Sequence, residues 1–267
     1  MAGSLSRFPF VLVTRPAEPG RRLAAGLRAN GCDALWLPAF ELLPPPAGSL
    51  AEVRECAAVV SRFDLVVFVS PVAVRAFAVH LAGAWPTGTA IAVTGSGTRE
   101  ALRESVGATE AKIFAPCGSA AADGGAEQLW SALAPACAGL RTALIVRAQS
   151  GREWLGERLR GAGVAVRELA AYRRQAHAPA PAERAALQAA LGAGSALAIL
   201  YSSSEAVAAV GGQLAQAGIS PGWQARCLAL CLHERIGQAA AAAGITRVRL
   251  CSADLPAVLA ALAPGLP

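Results

Sequence analysis

The sequence has almost no lysine. Lys112 is the only one, so the excess of 24 basic over 18 acidic residues, a net charge of +6, is carried by arginine. Arginine keeps its charge and offers a planar fork of donors suited to carboxylate or phosphate. The arginines are dispersed, with no block of five or six, which argues against a nucleic-acid-binding tail. Aromatic residues make up only 5% of the chain, so the core must be built from Ala, Leu and Val. No uncharged apolar run approaches the ~18 residues needed to span a membrane. The segment from Met1 to Phe10 has neither a long apolar stretch nor a small-residue cleavage site. A soluble, cytoplasmic protein is therefore expected, with no membrane partner.

Several chemical signatures are also missing. The seven cysteines, Cys32, Cys56, Cys117, Cys137, Cys227, Cys231 and Cys251, are odd in number and irregularly spaced. None forms a Cys-x-x-Cys pair, which disfavours disulfide and metal chemistry and fits a reducing compartment. Of the three histidines, His80 is expected on a helix surface and His233 in a turn, and none, His177 included, pairs with another at ligand spacing. A G-x-S-x-G elbow and a P-loop lysine are absent.

What the chain does have is apolar residues, 54% of its 267 positions, enough for one large domain or two of ordinary size. It also has an internal repeat. Val11-Leu-Val-Thr-Arg15 matches Ala143-Leu-Ile-Val-Arg147, each a short apolar run ending in Arg and followed by an amphipathic helix. At the same offset of 132, Leu23 meets Leu155, Leu27 meets Leu159, Gly31 meets Gly163 and Phe40 meets Tyr172. Pairs of Leu four apart lie on one helix face, and the glycines fall where a helix C-cap is wanted. At an offset of 133, the strand before Ser70 and the helix start after it match those around Ser203. A weaker match joins Ile91-Ala-Val-Thr to Leu228-Ala-Leu-Cys. A duplicated unit of strands alternating with helices predicts mainly parallel sheets covered on both faces, wound into two similar α/β lobes.

Two segments in equivalent places read as connectors: Leu37 to Pro46, interrupted by prolines, and Glu168 to Gln175, running on to Pro181. Both are expected to be extended. Three features could carry chemistry. The turns at Ser70 and at Ser202, Ser203 and Ser204 open helices after strands, where free N–H groups suit an anion; plain N-capping explains the same serines. Thr94-Gly95-Ser96-Gly97-Thr98 has two glycines of a dinucleotide fingerprint, but Glu100 stands where the third belongs, so it reads as a small-residue turn admitting a ligand to the backbone. Its counterpart, Leu232-His233-Glu234-Arg235-Ile236, has no glycine, which argues against a cofactor shared by both halves. Tyr172, one of two tyrosines, can give a proton to a leaving oxygen or simply pack its ring, as Phe40 would.

Together these segments resemble the uroporphyrinogen-III synthase family. The resemblance rests on Val11 through Pro16 with the following Gly-Arg-Arg-Leu-Ala, Phe68 to Val74, Ala143 to Arg147 with Gly151 to Glu153, Ala171 to Arg174, Tyr201 to Val207, and His233 onward. It runs from about Val11 to Leu262, and its specificity lies in the order and spacing of the segments.

The resemblance implies two doubly wound lobes joined by a two-stranded ladder: residues 1–38 with 177–267, residues 45–167, and connectors 39–44 and 168–176. It implies cyclisation of hydroxymethylbilane to uroporphyrinogen III, with loss of water and inversion of ring D, and no cofactor. The substrate is a linear tetrapyrrole polyanion, which gives the arginines a role. Catalysis would rest on positioning and on exclusion of water. Tyr172 matches the family tyrosine assisting hydroxyl loss, and Ser70, Thr98 and Ser203 match polar substrate positions. Arg15, Gly95, Ser96, Arg147, Ser202, His233 and Arg235 complete the expected substrate-binding set. A monomer in transient contact with neighbouring pathway enzymes is expected. The rival readings are a non-enzymatic two-lobed protein that captures a small anion, and a nucleotide-dependent enzyme using the Gly95–Gly97 turn.

Overall fold

The computed structural model describes residues 9–107, 111–116, 125–191 and 196–263. Cys117 lies outside them. The chain divides into two compact units, Met1–Leu42 with Gln175–Pro267, and Leu43–Arg174.

The first unit is built on a five-stranded sheet. Its strands are β1 (Phe10–Val13), β2 (Ala34–Trp36), β9 (Leu197–Tyr201), β10 (Cys227–Cys231) and β11 (Arg247–Leu250), in the order β11-β10-β9-β1-β2. Every pairing is parallel. The central strands FVLV, LAILY and CLALC are buried throughout, as strands covered on both faces must be. On one face Val11, Val13, Ala198, Leu200, Leu228 and Leu230 pack against α1 (Ala17–Ala29) and α10 (Leu255–Leu262). On the other, Leu12, Ile199, Tyr201 and Ala229 pack against α7 (Pro181–Leu191), α8 (Ser204–Gln216) and α9 (Glu234–Ala242). Gln213, buried on α8, donates through Nε2 to the carbonyls of Pro38 (2.8 Å) and His177 (3.0 Å).

The second unit contains β4 (Leu65–Phe68), β5 (Ala90–Val93), β6 (Ile113–Phe114), β7 (Thr142–Ala148) and β8 (Ala165–Ala176). The sheet order is β3-β8-β7-β4-β5-β6, with β3 at Phe40–Leu43. The chain passes from one unit to the other within β3 and returns within β8. Both segments read as connectors are thus strands, and Pro38 and Pro44–Pro46 bracket β3 rather than abolish it. Leu65, Val67, Ala143 and Ile145 meet α5 (Ala126–Leu133) and α6 (Trp154–Gly161) on one face. The opposite face belongs to α2 (Ala47–Ala58), α3 (Pro71–Ala78) and α4 (Ser96–Ser105), where Phe68 lies 5.7 Å from Phe77 and 6.1 Å from Trp85, ring centre to ring centre.

The duplication is visible in the register. β1 pairs with β9 through Val11 and Ala198; β7 pairs with β4 through Ala143 and Leu65. Ala143 is Val11 moved by 132 and Ala198 is Leu65 moved by 133, the offsets of the sequence repeat. The order β2-β1-β9-β10-β11 in one unit answers to β8-β7-β4-β5-β6 in the other. Each unit therefore combines the opening of one repeat with the remainder of the other. Gly31 and Gly163 close α1 and α6 in the left-handed region, at φ +78° and +84°, which only glycine enters without strain. His80 lies in the turn just past α3 rather than on a helix, because α3 stops after two turns at Ala78.

Candidate functional site

In a parallel sheet covered on both faces, ligands meet the carboxyl ends of strands where the order reverses. In the second unit that point lies between β4 and β7: the chain leaves β4 through α3 toward β5 and leaves β7 through α6 toward β8. Ser70 follows β4 and caps α3, its Oγ accepting the Ala73 N–H at 3.1 Å. The same Oγ is 3.1 Å from the Tyr172 hydroxyl. Tyr172 lies on β8, one strand beyond β7, and is largely buried. A bulge in the β7–β8 pairing puts it there: Arg147 stands opposite Ala170, and Ala148 opposite Tyr172, so Ala171 is the extra residue. The Gln149 N–H donates to the Tyr172 carbonyl at 2.8 Å beyond the bulge.

Beside this pair, α4 begins at Gly95, whose extended backbone offers no side-chain cap. Ser96 and Gly97 are exposed in the first turn, whereas Thr98 is 4% exposed and turned into the fold. Thr94 Oγ1 donates to the Val69 carbonyl at 3.1 Å, tying the ends of β5 and β4 together. A Cβ at Gly97 would stand 3.7 Å from the Pro71 ring, so the starts of α3 and α4 are side by side. The four expected residues Ser70, Gly95, Ser96 and Tyr172 thus share one end of this unit.

Arg147 is at the same end but is engaged. It donates to the Glu168 carboxylate on β8 and to the Gly151 carbonyl at 2.6 Å. Glu168 also accepts from Arg160 at 2.7 Å. Burial raises the Glu168 pKa, but the bonds from Arg160 and Arg147 outweigh it and hold the carboxylate below its usual value. Sequence reading missed Glu168 because its partners lie on other elements.

The first unit repeats this arrangement with different chemistry. Thr14 Oγ1 donates to the Leu200 carbonyl at 2.5 Å, closing β1 on β9 at the reversal point. Arg15 is the repeat equivalent of Arg147, and Trp36 stands where the second unit has Glu168, each 132 positions earlier. Trp36 donates its indole N–H to the Arg15 carbonyl at 2.8 Å. The Arg15 guanidinium has only the Ala253 carbonyl at 3.4 Å and, among the described residues, no carboxylate. Burial lowers its pKa, and arginine nevertheless stays charged at neutral pH.

Ser203 caps α8 by accepting the Ala206 N–H at 3.3 Å, with Ser202 half-buried before it. His233 caps α9, its Nδ1 accepting the Arg235 N–H at 3.1 Å, and both residues are exposed. Ser204 Oγ donates to the Arg235 carbonyl at 3.4 Å, which links the starts of α8 and α9. Ser203 and His233 therefore act as caps, as Ser70 does in the second unit.

Among the described residues no cluster of three or more His, Cys, Asp and Glu is placed to hold a metal ion. No helix among them is long and apolar enough to cross a membrane.

Comparison with known proteins agrees with this architecture. No curated protein sequence matches the chain. Among solved structures it is similar to the uroporphyrinogen-III synthetase of Helicobacter pylori, at 12% identity and a TM-score of 0.59, over 95% of this chain and 97% of that one. It is also similar to a mutant uroporphyrinogen III synthase of the extremely thermophilic bacterium Thermus thermophilus, at 18% identity and a TM-score of 0.55, over 90% and 91% of the two chains. These likenesses show a common fold. The family model described as uroporphyrinogen-III synthase HemD matches residues 21–255, and on that match the chain belongs to the uroporphyrinogen-III synthase family.

Proposed function

We propose that Tyr172 gives the proton with which hydroxymethylbilane loses its terminal hydroxyl, and that Arg15 and the helix starts at Gly95, Ser203 and His233 hold substrate carboxylates. Family membership makes the chain a cyclising lyase of haem biosynthesis, converting hydroxymethylbilane to uroporphyrinogen III. The residue roles are our reading of how it does so.

The C–O bond breaks with its electron pair going to oxygen. That oxygen takes the phenolic proton and leaves as water, while the pyrrole nitrogen pushes electrons in to give an azafulvenium cation. Ring D then attacks through its substituted carbon, and the spiro intermediate fragments and recloses with ring D inverted. Rearomatisation releases one proton, which restores the phenol. The reaction demands little acid–base chemistry; it demands one bent pose of a polyanion, which fixed donors enforce by positioning.

The observation that carries this reading is the tyrosine hydroxyl, placed at the carboxyl ends of the strands where the order reverses and hydrogen-bonded to a helix-capping serine. Arg15, charged and without a carboxylate partner among the described residues, supports the polyanion half of it. The same proposal includes a two-stranded ladder joining lobes 1–38 with 177–267 and 45–167, which the neighbouring places of β3 and β8 in the sheet order support. It also includes action as a cytoplasmic monomer, in transient contact with neighbouring pathway enzymes.

The test is the isomer formed. Purified protein supplied with hydroxymethylbilane is expected to give the type III macrocycle. Formation of the spontaneous type I isomer alone would reject the enzymatic reading in favour of a small-anion-binding protein.

A further inference from the structure

We infer that Ser70 is a positioning residue for Tyr172 rather than a substrate contact, an inference that rests on the proposed role of Tyr172. A serine hydroxyl has one proton to give and two lone pairs to accept with. One lone pair of Ser70 Oγ receives the Ala73 N–H at 3.1 Å. For its proton, the acceptor in reach is the Tyr172 oxygen, also at 3.1 Å. With Ser70 as donor, the Tyr172 proton stays uncommitted and can be aimed at a leaving hydroxyl. With the roles reversed, that proton would be spent inside the protein.

Both ends of this bond are held by backbone. Ser70 is the N-cap of α3 in extended conformation, with Pro71 fixing the first helical residue. Tyr172 is delivered by the bulge at Ala171, which advances β8 by one residue against β7. Side chains alternate along a strand, so in an unbulged register Tyr172 would stand opposite Gln149 and point to the other face of the sheet. Bulge and cap together set the direction of one O–H bond.

The chain has two tyrosines, so protein carrying 13Cζ-labelled tyrosine gives two ring signals, and Tyr172→Phe identifies which is which. In Ser70→Ala the Tyr172 signal is expected to move and kcat to fall about three- to tenfold with KM unchanged. Ser70→Thr, which keeps the hydroxyl, is expected to restore both. Because Ser70→Ala also removes a helix cap, Ser70→Asp is the control: it keeps the capping acceptor but has no proton to give, and its kcat is expected to stay low in a folded protein.

An unmoved Tyr172 signal in Ser70→Ala, or a raised KM with kcat intact, would overturn the positioning role and make Ser70 a substrate contact or a cap. A fully active Tyr172→Phe would overturn it differently, by removing the role of Tyr172 itself while the Ser70–Tyr172 bond remained visible in the spectrum.

Discussion

The guanidinium of Arg147 is hydrogen-bonded to the carboxylate of Glu168 across the neighbouring strands β7 and β8. The two repeats have diverged at this point. In the other unit Trp36 occupies the place of Glu168 and bonds the backbone of Arg15, leaving the Arg15 guanidinium without a carboxylate among the described residues. The arginines at equivalent repeat positions thus have different partners. Arg147 donates to Glu168 and Gly151, whereas Arg15 donates to the Ala253 carbonyl and is the arginine we propose for a substrate carboxylate.

The two arginines should therefore fail differently. Arg147→Ala strips a bonded carboxylate that is only 22% exposed and is expected to cost about 1–3 kcal/mol of stability, read as a lower urea midpoint. The Glu168 pKa is depressed on folding, so its contribution is present above the usual carboxylate value and is lost as pH falls through the lower folded value. Arg15→Ala is expected to leave the urea midpoint nearly unchanged and to raise KM by about ten- to a hundredfold. A normal KM in Arg15→Ala would remove Arg15 from substrate binding.

Tyr172→Phe keeps the ring and removes the proton. Turnover is expected to slow by about one to two decades, equivalent to ~1.4–2.7 kcal/mol in the barrier, with the fold intact. Single-turnover measurement of type III product checks this, and an unchanged rate would demote Tyr172 to a packing residue.

His177 is expected to make the stability of the first unit depend on pH. Its Nδ1 is 2.8 Å from Glu41 on β3 and its Nε2 is 2.9 Å from Glu183 on α7. Burial lowers its pKa, but the two carboxylates outweigh that and raise it overall. A protonated ring donates to both; a neutral ring can donate to only one. The stabilisation is fully present below the unfolded histidine value of about 6.5 and is lost as pH rises through the folded value. Urea midpoints between pH 6 and 9 are expected to fall in the wild type and to fall less in His177→Gln; parallel slopes would dismiss the effect.

Gly20 is required by proximity. A Cβ there would stand 2.1 Å from the Arg15 carbonyl oxygen and 2.5 Å from the Trp36 indole nitrogen. The first of these neighbours is backbone and cannot swing away. Gly20→Ala is expected to destabilise by about 1–3 kcal/mol and to raise KM through displacement of Arg15. An unaltered midpoint would show that the start of α1 can shift freely.

Some of this is legible in the sequence. The apolar runs LVVF, AIAV and LAILY, each followed by a hydroxyl or glycine turn, mark strands feeding helices, because a strand buried on both faces needs no polar alternation. Gly31 and Gly163 mark helix ends, because only glycine reverses the chain there without strain. Ser70 and Ser203 were readable as caps and Tyr172 as a proton donor, but not the bond between Ser70 and Tyr172, which are 102 residues apart. Nor could Glu168 or Trp36 be recognised as the feature distinguishing the two arginines, since neither carries a local motif.

The sequence by itself determined the alternation of strand and helix, the duplication and the residue types at each strand end. These follow from local periodicity and turn chemistry, which act over a few residues. Only the tertiary structure decided which strands pair: β1 lies against β9, bringing Thr14 to Leu200 across 186 residues, and β8 slips by one residue against β7 to turn Tyr172 toward Ser70. Pairing between distant strands is fixed by complementary burial and by hydrogen-bond register, and those exist only once the whole sheet has formed.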